Sequence, residues 1–194
     1  SKMLMTTLTQ TIEWIANQSR LFYLLTTLYY KNIIKREVRL AEIKPDDNIL
    51  CIGGGPCPYT AIMLHQLTGA AITVVDNNAA CVKKAANLIK RLGLDHAISI
   101  VCCEGEAIDC TGYTVIHLAL QVSPKGKVLN HLLARAGSGV KFLVRLPKEL
   151  VGGLYCDLES CPLPCHNYVE HDFYTNVGST ALYIKEGLYG AAQA

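Results

Sequence analysis

A chain of 194 residues with 51% hydrophobic, 18% charged and 7% aromatic residues is too apolar to be disordered and long enough to bury one real core. Its net charge of +2, from 18 basic and 16 acidic residues, makes no global electrostatic case for nucleic acid. No apolar run approaches the ~20 residues that span a bilayer.

Residues 5 to 40 carry Leu8, Ile12, Ile15, Leu21, Leu24, Leu25, Leu28, Ile33 and Ile34 at helical spacing, with no Gly or Pro between them. They predict one helix, or two broken near Asn17 to Ser19. Lys44 to Asp47 is a turn. Short apolar runs then alternate with helical patterns. Strands are expected at Asn48 to Ile52, Ala71 to Val75, Ile98 to Cys102, Tyr113 to Leu118 and Val140 to Val144. Helices are expected at Tyr59 to Leu67, Ala79 to Leu92 and Lys125 to Ala136. That alternation implies right-handed βαβ units and a parallel sheet covered on both faces. Tyr168 to Tyr174 and Thr180 to Ile184 read as an antiparallel pair added at the sheet edge. The division this suggests is a helical N-terminal segment over 1–44 and a Rossmann-like α/β domain over 45–194.

The most informative segment is Ile49 to Thr60, in which a buried strand runs into Gly53, Gly54 and Gly55 and a helix follows. Glycines there let the backbone turn sharply and approach a ligand, and the helix beyond presents free N–H groups. Asp76 lies 21 residues after Gly55, at the end of the second strand, where a carboxylate can accept both hydroxyls of a ribose. The alternative is a tight turn followed by an aspartate that caps the next helix. A pyrophosphate-binding loop would carry a third glycine where Pro58 stands, and Pro56 and Pro58 remove N–H donors from the phosphate-facing turn. NAD and FAD are therefore disfavoured. A nucleoside without phosphates, such as S-adenosylmethionine, does not need those donors. Glu104 and Gly105 follow the third strand, where an acidic residue can meet an adenine amino group, and Ala119 ends the fourth at the ligand edge of the sheet. Gly53, Gly54, Gly55, Pro56, Asp76, Asn77, Glu104, Gly105 and Ala119 are the expected nucleoside contacts. The final strand pair fits the seven-stranded sheet of class I methyltransferases.

The run Gly53-Gly54-Gly55-Pro56-Cys57-Pro58-Tyr59-Thr60 departs from the usual methyltransferase G-x-G-x-G loop. Its G-x-G-P-x-P-x-T pattern resembles the nicotianamine synthase family. Val75-Asp76, Cys103-Glu104 and Ser123-Pro124-Lys125 extend the resemblance, and Leu28 to Glu37 is similar to a tyrosine-rich stretch preceding that family's core. The resemblance implies S-adenosylmethionine as the donor and transfer of its aminocarboxypropyl arm to a small amine-bearing acceptor. It places Tyr30 at the acceptor end and Glu37 as a catalytic carboxylate able to take a proton. Because three carbons flank one sulfonium, methyl transfer is the alternative, and a non-catalytic S-adenosylmethionine or metal-binding module is a third. The family's N-terminal region is longer, so a second copy of the chain, paired through the N-terminal helices, can complete the acceptor pocket.

The nine cysteines are an odd number and cannot all pair within the chain. With no signal-peptide h-region visible, the protein is expected to be cytoplasmic with reduced thiols. Cys51, Cys81, Cys102 and Cys103 fall in predicted strands or helices and read as apolar filler. Cys57 stands at a helix N-terminus, where a thiolate would be stabilised. Cys156, Cys161, Cys165, His166 and His171 crowd one proline-containing segment. Their spacing is not that of common zinc sites, and no metal ligands are assigned. His117, at the end of the fourth predicted strand, faces the expected site.

Overall fold

A computed structural model describes residues 28, 30–105, 107–148, 162–172 and 175–187. Helix α1 covers residues 30–41, and the part of the expected helical segment before residue 28 lies outside the described residues. The following elements are β1 (Asn48–Ile52), α2 (Tyr59–Thr68), β2 (Ala71–Asp76), α3 (Ala79–Arg91), β3 (Ile98–Cys102), β4 (Val115–Leu118), α4 (Lys125–Arg135), β5 (Lys141–Pro147), β6 (Asn167–Glu170) and β7 (Val177–Ile184).

They form one seven-stranded sheet in the order β3-β2-β1-β4-β5-β7-β6. Strands β1 to β5 pair in parallel. Strand β7 runs antiparallel to both its neighbours, β5 and β6. The antiparallel pair is present, but β7 inserts beside β5 and β6 takes the edge. The reason is burial: β7 is buried along almost its whole length, while β6 is mostly exposed. A fully buried strand needs partners on both sides, and a short polar one tolerates an edge.

Two apolar layers sandwich the sheet. On one face, α4 packs Val128, Leu129, Leu132 and Leu133 against Leu50, Ile116, Phe142 and Val144. On the other, α1 and α2 place Ile34, Ala41, Ile62 and Leu64 against Ile49, Ile72, Val74 and Leu143, joined by Ile89 of α3. Helix α1 is therefore part of the apolar layer on that face. Asn78 caps α3 by accepting from the N–H groups of Ala80 and Cys81. Asp76 is not the capping residue. No described helix is long and apolar enough to cross a membrane.

Candidate active site

In a sheet of this order, ligands sit at the carboxyl ends of the strands where the strand order reverses, here between β1 and β4. A cavity of about 960 Å³ opens at that point. That is at the upper end of the range of roughly 300–1,000 Å³ for small-molecule sites. Gly53, Gly54, Gly55, Pro56, Asp76, Asn77, Glu104, Gly105 and Ala119 all line it, as does Tyr30.

The glycine loop is built by close approach. Gly53 has φ +85° and Gly55 φ +63°, a region open chiefly to glycine. A methyl group on Gly54 would lie 2.1 Å from Cγ1 of Val74. Asp76 then ties the loop down: its Oδ2 accepts from Gly55 N–H at 2.8 Å, and its Oδ1 from Asn78 N–H at 2.9 Å. Each carboxylate oxygen retains a second lone pair, so a ribose hydroxyl can still be accepted there. Asn77 donates through Nδ2 to the Glu104 carboxylate at 3.3 and 3.4 Å. The wall after β4 is held by Lys125, whose Nζ donates to the carbonyls of Ala119 (2.7 Å) and Leu120 (3.0 Å). Burial lowers the Lys125 pKa to about 8.

The other end of the cavity is aromatic and charged. The Tyr30 and Tyr59 rings stack with centroids 6.5 Å apart, and the Arg145 guanidinium carbon lies 5.7 Å from the Tyr30 centroid, a cation–π distance. Arg145 and His117 also line the cavity. Behind them is Glu37, fully buried and not itself a lining residue. Glu37 Oε1 accepts from Arg145 Nε (2.8 Å) and Thr180 Oγ1 (2.7 Å). Its Oε2 accepts from Arg145 Nη2 (2.9 Å) and lies 3.2 Å from His117 Nε2. Arg145 Nη1 donates to Thr60 Oγ1 at 3.0 Å. Burial alone would raise the Glu37 pKa, but the Arg145 charge and the donated hydrogen bonds hold it well below the usual carboxylate range. Burial pushes His117 below the ordinary histidine value.

On the solvent face of α1, Glu37 would have Lys31 or Arg36 as a candidate partner. Instead Arg36 bonds Asp172 at 2.9 Å and Glu37 turns inward. Sequence reasoning does not single out Arg145, Thr60 or Thr180 as site residues. The available signal is an arginine inside the apolar run of β5; its partner lies 108 positions away.

The cysteines divide by environment. Burial pushes the Cys51 thiol up to about 12 and raises Cys57 as well. Cys156 and Cys161 lie outside the described residues. Cys165 Sγ donates to Asn167 O at 3.2 Å, and His171 Nε2 lies 2.8 Å from Thr180 Oγ1. Among the described residues no three His, Cys, Asp or Glu side chains converge on a metal position.

A relative from Yersinia pestis, "L-histidine 2-aminobutanoyltransferase", is 24% identical over 141 residues, which is 68% of this chain and 51% of the relative. The chain thus spans about half the length of that relative. The crystal structure of an MtNAS mutant in complex with S-adenosylmethionine matches with a TM-score of 0.72 at 20% identity, over 82% of this chain and 62% of that one. An RNA methyltransferase from Salinibacter ruber, in complex with S-adenosyl-L-homocysteine, matches with a TM-score of 0.65 at 16% identity, over 84% and 97%. At such identities the structural matches show the fold alone. The family model described as "Nicotianamine synthase protein" matches residues 12–174. The glycine loop, Asp76, Glu37 and Arg145 all fall inside that span, and the chain belongs to the nicotianamine synthase family.

Proposed function

We propose that the protein transfers the aminocarboxypropyl arm of S-adenosylmethionine to a small amine-bearing acceptor. The observation that carries this reading is one continuous cavity that touches both Asp76 and Tyr30. Its volume suits a nucleoside donor together with a second small molecule. S-adenosylmethionine is here a substrate that is consumed. Gly53 to Pro56, Asp76, Asn77, Glu104, Gly105 and Ala119 are proposed to hold its nucleoside end. Asp76 and Glu104 are anionic, Arg145 is the cation among the lining residues, and the buried Glu37 neutralises Arg145. The cavity therefore favours a sulfonium and an ammonium over an anion.

Tyr30 and Glu37 are proposed to serve the acceptor end. Tyr30 acts from the cavity wall. Glu37 acts from behind it, as the buried anion that orients Arg145 and His117. Displacement at any of the three sulfonium carbons requires in-line approach at about 3–3.5 Å, so the acceptor's position decides which group moves. The names of the Yersinia relative and of the family favour the four-carbon arm. Methyl transfer to a small molecule is the second reading, and the length match to the methyltransferase supports it at the level of fold.

The test is product analysis. Purified protein is incubated with S-adenosylmethionine and a mixture of proteinogenic amino acids, and the nucleoside products are identified by mass spectrometry. Methylthioadenosine is expected. S-adenosylhomocysteine would replace this reading with methyl transfer, and binding of the donor without either product would leave a non-catalytic module. We further propose a cytoplasmic location, in keeping with the free thiols of Cys51, Cys57, Cys81, Cys102, Cys103 and Cys110. A homodimer through the N-terminal helices is proposed on the exposure of Leu28 beside α1; sedimentation of a single monomeric species would remove it.

A further inference from the structure

We propose that His117 is the base that takes the proton from the acceptor ammonium, with Glu37 fixing its tautomer. This rests on the amine-acceptor reading above and adds a catalytic residue to it.

The inference follows from counting lone pairs. An ionised carboxylate offers about four acceptor positions. Glu37 fills two on each oxygen: Arg145 Nε and Thr180 Oγ1 on Oε1, and Arg145 Nη2 and His117 Nε2 on Oε2. It does not line the cavity. Glu37 is therefore saturated and out of reach of an acceptor. A carboxylate only accepts, so the 3.2 Å contact requires the hydrogen to sit on His117 Nε2. That leaves the lone pair on Nδ1, and His117 is a lining residue.

The other lining groups are less suited. Asp76 is engaged at both oxygens by Gly55 and Asn78 at the nucleoside end. Glu104 lies beside Asn77. The thiols of Cys51 and Cys57 are raised, and so are protonated at neutral pH. Burial holds the His117 ring neutral, the state a base must start from.

The charged and titratable groups around the ring come from several elements. Glu37 on α1 and Arg145 on β5 form the pair behind it, Lys125 on α4 acts from farther off, and His171 joins through Thr180. The Glu37 charge can stabilise the imidazolium once it forms, while Arg145 and Lys125 oppose it.

In the step, the ammonium N–H bond breaks and its proton goes to His117 Nδ1. The freed nitrogen pair forms the new C–N bond at the carbon attached to sulfur. The C–S bond breaks, and its electron pair returns to sulfur, which becomes the neutral thioether of methylthioadenosine. The imidazolium then gives the proton to solvent as product leaves.

Two measurements test the proposal. Ring-nitrogen NMR of the wild-type protein at neutral pH, without substrates, should show His117 neutral with its proton on Nε2. Glu37→Gln should abolish that preference. In the turnover assay, His117→Asn should lower kcat/KM by roughly 10²–10⁴-fold at pH 7. The loss should shrink as the pH rises toward the acceptor's own amine pKa, where the amine sheds its proton unaided. Donor affinity by calorimetry should change little, which shows that the variant is folded. A proton on Nδ1, or a variant with the wild-type rate and pH profile, would overturn the proposal. Release of S-adenosylhomocysteine instead of methylthioadenosine would overturn only the choice of transferred group. An ammonium attacking the methyl carbon must lose the same proton, so the variant comparison still decides the role of His117.

Discussion

Gly54 has no room for even a methyl group. A Cβ at this position would meet Cγ1 of Val74 at 2.1 Å, and Val74 lies in a strand paired on both sides. Gly54→Ala should destabilise the fold by about 1–3 kcal/mol, the usual cost of overpacking, and weaken donor binding; urea denaturation and calorimetry check both. Asp76 carries two duties, anchoring Gly55 and facing the cavity. Asp76→Ala removes an anionic acceptor worth about 1.5–3 kcal/mol, so donor affinity should fall roughly tenfold to a hundredfold. No change in affinity, or binding of NAD in its place, would refute the nucleoside assignment. Glu37→Ala leaves Arg145 buried without its counter-charge. Breaking such a pair costs about 3–5 kcal/mol, which a shift in denaturant midpoint would register.

At the scale of elements, the site is a meeting of strand ends with two helices from the same face. Helix α2 begins directly after the glycine loop and brings Tyr59 and Thr60. Helix α1 crosses nearby and brings Tyr30 and Glu37. The wall after β4 depends on α4, because Lys125 in its first turn holds the carbonyls of Ala119 and Leu120. Lys125→Met keeps the stem and removes the donors. The two hydrogen bonds lost are worth about 1 kcal/mol each, so donor affinity should weaken by up to about thirtyfold, with a smaller effect on stability since an apolar side chain replaces a buried cation. An unchanged affinity would show that the wall holds without Lys125.

At the scale of the whole molecule, the Glu37 network joins α1, β4, β5 and β7 through side chains that are nearly all buried. Its linkage to pH has one sign throughout. His117 and His171 have lowered pKa values in the fold because burial disfavours their charged forms. The unfolded chain therefore binds protons first, and stability falls as pH drops below about 6.5. Glu37 is also lowered, so its contribution is present above the unfolded carboxylate value and is lost on further acidification through its folded pKa. The denaturant midpoint should decline in two stages, the first below pH ~6.5 and the second below about 4.5. Glu37→Gln should remove the second stage.

Much of this was legible in the sequence, for local reasons. Short apolar runs separated by helical patterns determined a parallel sheet, because buried strands and amphipathic helices have different periods. The run from Gly53 to Thr60 and the aspartate 21 residues beyond Gly55 pointed to the strand ends that line the cavity, because the turn needs glycine and an acidic residue there faces the ligand edge of the sheet. Tertiary structure decided the rest. That Glu37 faces inward, that Arg145 rather than Lys31 or Arg36 is its partner, and that His117 has its tautomer set by a carboxylate 80 positions earlier depend on pairings across the sheet. A buried charge must find its counter-charge in space, and the spacing along the chain carries no record of where that partner is.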